Sequence, residues 1–255
     1  MDNKKQRFVI ISDVHGHFDE MMEALTKVNF NPEVDFLISL GDNLDRGPKN
    51  QEVMNYLMGL ERKVLIKGNH ESLFEDCVKR GYPYGYDVDN GTVGAIKQLG
   101  GWSYEDDNSF EQCCAVAEEK ARPFLDSMVN YFETENYIFV HSFVPLKCND
   151  DYPMYYTKNR KFEVNPDWRN ASQDEWNDAM WGNPFDLARK GLLPDKTLCC
   201  GHWHVSWARH HFNGKPEWGS QADFSPYYGD GYIGLDACTA YSGKVNCLVI
   251  EDNFL

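Results

Sequence analysis

The chain has 255 residues, 42% hydrophobic and 14% aromatic, with 15 Phe, 14 Tyr and 7 Trp, enough for one sizeable core and too apolar for a disordered chain. Its 40 acidic residues against 25 Lys and Arg give a formal charge of −15, which argues against a nucleic-acid partner held by non-specific phosphate contact. No apolar run approaches the roughly 20 residues of a membrane helix, so no membrane partner is expected.

The opening MDNKKQRFVII carries too short an apolar run for a signal peptide. A cytoplasmic protein with eight reduced cysteines is therefore expected. The vicinal pairs Cys113–Cys114 and Cys199–Cys200 read as small apolar core residues. Phe8 to Ile11 reads as a buried strand and leads into Ser12-Asp13-Val14-His15-Gly16. Phe18, Met21, Met22 and Leu25 then share one face of a helix. Phe36 to Leu40 is a second strand, ending in Gly41-Asp42. Val53, Tyr56, Leu57 and Leu60 predict a second helix. Val64 to Ile66 is a third strand, leading into Lys67-Gly68-Asn69-His70-Glu71, and Leu73, Cys77 and Val78 suggest a third helix.

Residues 82–130 break this rhythm. Tyr82 to Tyr86 reads as loop, Glu105-Asp106-Asp107 as an acidic turn, and 111–129 as helix. Strand patterns return at Tyr137 to Val140, ending in His141, and at Leu198 to Cys200, ending in Gly201-His202-Trp203-His204. Residues 148–180 between them are irregular. Both irregular segments are expected to be insertions over the functional edge of one domain spanning 1–255. Tyr232 to Leu235 and Asn246 to Ile250 read as strands joined by a hairpin turn at Tyr241 to Lys244.

Alternating strands and helices imply an α/β fold with a partly parallel sheet. Ligands of such sheets gather beyond the carboxyl ends of the strands. Asp13, His15, Asp42, Asn69, His141 and His202 all stand there by this reading. They offer oxygen and nitrogen and no thiolate, which suits Mn²⁺, Fe, Zn²⁺ or Ni²⁺. Asp42 is suited to bridge, since one carboxylate can give an oxygen to each of two cations about 4 Å apart. Two divalent ions less two carboxylates and one hydroxide leave one positive charge, which favours a phosphate ester. One D-x-H or one G-H is a weak signal, because most isolated histidines are surface or satisfied core residues. The ordered set D-x-H-G, G-D-x-x-D-R-G, G-N-H-E, strand-end His and G-H-x-H is a specific one. His17, His210 and His211 have no spacing argument and read as surface residues.

Three of these blocks, Ser12 to Gly16, Gly41-Asp42-Asn43-Leu44-Asp45-Arg46-Gly47 and Gly68 to Glu71, resemble the signatures of the phosphoprotein phosphatase family. That family belongs to the calcineurin-like metallophosphoesterases. The resemblance runs from residue 8 to about 250 and points to the bacterial or phage branch. It implies a central β-sandwich flanked by helices, with cap-like insertions. It implies two divalent ions, Mn²⁺ first, with Asp13 and His15 on one, Asn69, His141 and His202 on the other, and Asp42 on both. His204 resembles a further ligand of the wider superfamily, evenly balanced against a bystander. His70 resembles the general acid, Asp45 its orienting carboxylate, and Arg46 the residue that grips the phosphate. Asn69 and His70 would touch substrate too, and a bridging hydroxide would attack phosphorus in line. Glu71 reads either as a hydrogen-bond partner behind the metals or as a first-turn helix acid.

The resemblance implies hydrolysis of a phosphorylated protein or a small phosphoester, most directly as a serine/threonine phosphatase. A symmetrical dinucleoside tetraphosphatase is the enzyme alternative, and a metal-free binding protein of the same fold is the non-enzyme one. The family's second phosphate-binding arginine has no obvious match; Arg160 and Arg189 are candidates by proximity only. Trp181-Gly182-Asn183-Pro184 is similar to the family's W-S-D-P element, and Asp236-Ala237-Cys238 to its D-T-G. The oligomeric state is open.

Overall fold

The computed structural model describes residues 5–102, 109–148 and 161–255. Its strands are β1 (Gln6–Ile11), β2 (Phe36–Ser39), β3 (Lys63–Leu65), β4 (Tyr131–Glu133), β5 (Tyr137–Val140), β6 (Lys147–Cys148), β7 (Phe162–Glu163), β8 (Thr197–Cys200), β9 (Tyr227–Gly229), β10 (Tyr232–Gly234) and β11 (Cys247–Asp252). Its helices are α1 (Phe18–Lys27), α2 (Asn50–Gly59), α3 (Asn69–Arg80), α4 (Gly85–Asp89), α5 (Thr92–Gly100), α6 (Phe110–Asp126), α7 (Gln173–Ala179), α8 (Pro184–Arg189), α9 (Val205–Asn213) and α10 (Thr239–Ser242).

One sheet has the order β11-β1-β2-β3 and the other β4-β5-β8-β10-β9, with β6 and β7 as a small separate ribbon. Strands β1, β2 and β3 are parallel, as are β5, β8 and β10. The outer strands β11, β4 and β9 run antiparallel to their neighbours.

The two-residue alternation of these apolar strands builds the layers. From the first sheet Phe8, Ile10, Ile38 and Leu40 point one way and pack with Phe139, Cys199 and Leu235 of the second. Their neighbours Val9, Ile11, Leu37 and Leu65 point the other way, onto α1, α2, α3, α5 and α6. Ile138, Val140, Leu198 and Cys200 likewise meet Trp176, Phe185, Leu187 and Val205 of α7, α8 and α9. The fold is thus a β-sandwich with a helical layer outside each sheet.

The hairpin expected near the end of the sequence does not form. β10 and β11 lie in different sheets, and residues Thr239–Ser242 form α10 where the turn was expected. Both strands have better partners, since β9 pairs with β10 and β1 offers its open edge to β11. Residues 85–100, which carried no predicted helix, form α4 and α5, and Ala95, Ile96 and Leu99 join the core beside α6. Within the second irregular segment, Trp168 and Trp176 are core residues. The expected acidic turn at Glu105-Asp106-Asp107, and Arg160, lie outside the described residues.

Candidate metal centre

Six parallel strands, three from each sheet, end where the two sheets meet. Residues just past them supply Asp13, Asp42, Asn69, His141, His202 and Asp236. Asp13, His15, Asp42, Asn69, His70 and His141 are each 3% exposed or less. Close backbone approach makes this possible. A Cβ at Gly68 would fall on the Asp42 carboxylate, and one at Gly201 on the side chains of Ser12 and Asp13. The bonds Asp13 N–H to Gly41 C=O (3.1 Å) and Gly201 N–H to His141 C=O (2.7 Å) tie neighbouring strand ends together.

Asp42 stands between two histidine groups. Its Oδ1 is 3.4 Å from His141 Nε2, while its Oδ2 is 3.8 Å from His15 Nε2 and 3.9 Å from His70 Nε2. His141, His202 and Asp42 form one close set of ligand atoms, and His15, His70 and Asp42 another. Asn69 Oδ1 joins the first, 2.8 Å from His141 Nε2 and 2.9 Å from His202 Nδ1. Asp13 accepts the His202 N–H at 3.0 Å and the Ser12 hydroxyl.

The donor chemistry fits divalent cations. Nδ1–H of His15 donates to the Leu44 carbonyl (3.0 Å) and Nδ1–H of His141 to that of Leu40 (2.9 Å). Each ring then turns an Nε2 lone pair toward Asp42. For His141 that lone pair also faces Asn69 Oδ1, an acceptor, so lone pairs converge where a cation would reconcile them. Burial lowers His202 to about 3 and holds His15 well below the ordinary imidazole value, so both rings are neutral ligands at pH 7. Burial alone would raise Asp42, but His141, His70, His15 and His202 pull it below the ordinary carboxylate value. Burial, Asp236 and Asp42 raise Asp13 well above its own. Asp13 is thus buried beside the carboxylates of Asp42 and Asp236, a concentration of negative charge that a cation would offset.

His70 lies beside these groups. Its Nδ1–H donates to Asp45 Oδ2 (2.8 Å), which the Thr92 hydroxyl also reaches at 2.6 Å. Its Nε2 is 3.0 Å from Arg46 Nη2, and a guanidinium can only donate, so Nε2 accepts there. Burial and Arg46 pull His70 down, but Asp42 and Asp45 outweigh them and hold it above the ordinary imidazole value. Arg46 itself is exposed, spanning buried His70 and solvent.

His204 is turned elsewhere. Its Nδ1 accepts the Trp207 N–H (3.2 Å) as the cap of α9, and its Nε2 is 3.5 Å from Glu217 Oε1. It belongs to neither close ligand set around Asp42; Asp13 is outside both as well, but its carboxylate stays at the centre by accepting the His202 N–H. Arg189 lays its guanidinium over the Phe212 ring, 4.7 Å from the centroid. The Trp181 ring lies 6.2 Å from His202, which puts the Trp181-Gly182-Asn183-Pro184 stretch beside the centre.

Three residues outside the candidate set belong to this architecture. Glu71 is a hydrogen-bond partner behind the ligands: its carboxylate accepts the N–H groups of Asp42 (2.9 Å), Asn43 (2.8 Å) and Gly68 (2.9 Å). Thr92 steadies Asp45 from α5, and nothing in its sequence context signals this. Asp236 does carry a signal, as the polar end of the Tyr232 to Leu235 run. It is buried near Asp13 and Asp42, and burial raises it to about 6.

The family model for the calcineurin-like phosphoesterases matches residues 6–206. Serine/threonine-protein phosphatase 2 of Escherichia coli (strain K12) is 35% identical over 72 residues, 28% of this chain and 33% of that protein. The symmetrical bis(5'-nucleosyl)-tetraphosphatase of Hamiltonella defensa subsp. Acyrthosiphon pisum is 43% identical over 63 residues, 24% and 23% of the two chains. The matched stretch thus spans a third or less of these curated relatives. A solved protein serine/threonine phosphatase from Saccharomyces cerevisiae shares the fold, with a TM-score of 0.53 at 13% identity, covering 99% of this chain and 81% of that one.

Proposed function

The chain belongs to the calcineurin-like phosphoesterase family, and from that premise we propose that it is a cytoplasmic hydrolase of phosphomonoesters, with phosphoserine and phosphothreonine of proteins as its substrate class. One observation carries this reading: buried Asp42 divides its two oxygens between separate histidine groups, directly beside the Asp45–His70–Arg46 chain.

Asp13 and His15 would hold one divalent cation, Asn69, His141 and His202 a second, and Asp42 both. Mn²⁺ is the first choice, and Fe, Zn²⁺ or Ni²⁺ suit the same donors. His204, committed to capping α9, is assigned no cation. When bound, such cations neutralise charge that develops on a phosphoryl group and make water nucleophilic at neutral pH. The protein's own residues supply the rest. Arg46 would grip two phosphate oxygens through its planar fork. That engagement would draw its Nη2 from His70 Nε2 and free that nitrogen to take a proton. Asp45 keeps the ring aimed and Asp42 favours its protonated form. His70 would then hand the proton to the leaving serine or threonine oxygen.

A second reading rests on the 63-residue stretch that is 43% identical to a symmetrical dinucleoside tetraphosphatase. Turnover of a phosphoserine peptide against diadenosine tetraphosphate, each with Mn²⁺ added, separates the two. Faster turnover of the peptide is expected; a preference for the dinucleotide would replace the first reading. No turnover of any phosphoester, together with a metal-free purified chain, would favour a binding protein that keeps only the fold.

A further inference from the structure

A second cluster of ligand atoms lies at the far end of α9 from His202. His210, His211 and Glu217 each present one within 4.8 Å of the others. The local chain is built to hold them. Gly214, at φ 64, ends α9 in the left-handed conformation, and the Lys215 N–H returns to the Arg209 carbonyl (3.2 Å). This reversal brings Glu217 back against the last helical turn.

Both imidazoles are clamped from behind. His210 Nδ1 is 2.9 Å from the Lys215 carbonyl oxygen, and His211 Nδ1 is 3.0 Å from that of Trp207. A carbonyl only accepts, so each ring carries its proton on Nδ1 and keeps an Nε2 lone pair for a ligand. Backbone carbonyls fix the tautomer and plane of metal-binding histidines in this way. The Trp207 ring lies nearly parallel on His211, 4.0 Å between centroids. Glu217 adds a carboxylate oxygen, with Oε1 3.5 Å from His204 Nε2. The carbonyl end of α9 adds a field that favours positive charge.

We propose that His210, His211 and Glu217 form a further cation site, separate from the Asp42 centre and selective for a borderline transition ion of the Zn²⁺ type. Two imidazoles and one carboxylate suit Zn²⁺ far better than Mg²⁺ or Ca²⁺, and leave a position for water or for a fourth ligand. A bound ion would clip the turn at 214–217 onto α9.

The test is equilibrium dialysis of the full chain against micromolar Zn²⁺, followed by elemental analysis. His210→Asn/His211→Asn is expected to hold one zinc ion fewer per chain than wild type, with unchanged circular dichroism. Glu217→Gln is expected to weaken that binding step about tenfold or more, and it carries the comparison should the double variant misfold. Asp42→Asn is expected to retain this zinc ion while losing those of the buried centre. Equal zinc content in wild type, the double variant and Glu217→Gln overturns the site.

Discussion

Asp42 sits at φ 54, a conformation that costs an ordinary side chain about 1–2 kcal/mol. Among the described residues, six of the eight non-glycine positions with positive φ are Asp13, His15, Asp42, Asp45, Arg46 and His202. Strain concentrated at one point of a fold marks a site where side-chain aim outweighs local comfort. Replacing Asp42 with Asn should strip the metal from the purified chain and cost about 10³-fold or more in turnover, given the several kcal/mol such cations supply. Normal metal content and rate would end the proposed bridging role. Changing His70 to Asn should leave metal in place and slow a phosphoserine peptide by about 10²–10⁴-fold. The same variant should lose much less on p-nitrophenyl phosphate, whose leaving group needs no proton, and equal losses on both would remove the general acid. Glu71→Gln turns an amide donor toward N–H groups that now meet a carboxylate. A loss of about 1–3 kcal/mol in urea unfolding of the chelated protein is expected.

Among the elements, the apolar strands that end in polar residues were legible because a fully buried strand has a simple signature. The same signature drew attention to Asp13, Asp42, Asn69, His141 and His202, since each stands within three residues of the end of such a run. Helices α4 and α5 were obscured by glycines at 85, 91, 94, 100 and 101, which read locally as breakers. Pairing was less legible than existence: β10 and β11 are neighbours in sequence and belong to different sheets, because sheet edges are allotted by the whole fold. The role of His204 was equally hidden, since spacing does not tell a ligand from a helix cap. At the far edge of the molecule Asp252 accepts the Asn136 backbone N–H (2.9 Å) and side-chain amide (2.7 Å), joining β11 to the β4–β5 turn. Burial alone would raise its carboxyl, but these Asn136 groups help hold it below the ordinary carboxylate value. That contribution is complete above the unfolded carboxyl's pKa, about 3.9, and is lost as pH falls through the lower folded value. Asp252→Asn should therefore flatten the acid limb of stability measured by urea between about pH 5 and pH 2. An unchanged acid limb would show that the clamp contributes nothing.

At the scale of the molecule, the candidate ligands come from both halves of the sandwich. Asp13, His15, Asp42 and Asn69 follow strands of the first sheet, and His141 and His202 follow strands of the second. Any cation held by both halves binds the folded state alone and adds stability by mass action, about 2.7 kcal/mol at a hundredfold excess over its Kd. Chelation should lower the melting temperature and abolish turnover, and added Mn²⁺ should restore both. A melting temperature indifferent to chelator would separate the centre from the stability of the sandwich.

The pairing of β1 with β11 bears on how the chain reaches this state. Phe8 lies opposite Ile250, and Ile11 opposite Cys247, partners synthesised more than two hundred residues apart. Until that late strand docks, one flank of a strand that carries the apolar run Phe8 to Ile11 offers bare N–H and C=O groups to any passing chain. Refolding is therefore expected to be slow and to lose yield as protein concentration rises, and nascent molecules would gain from a chaperone that shields that flank.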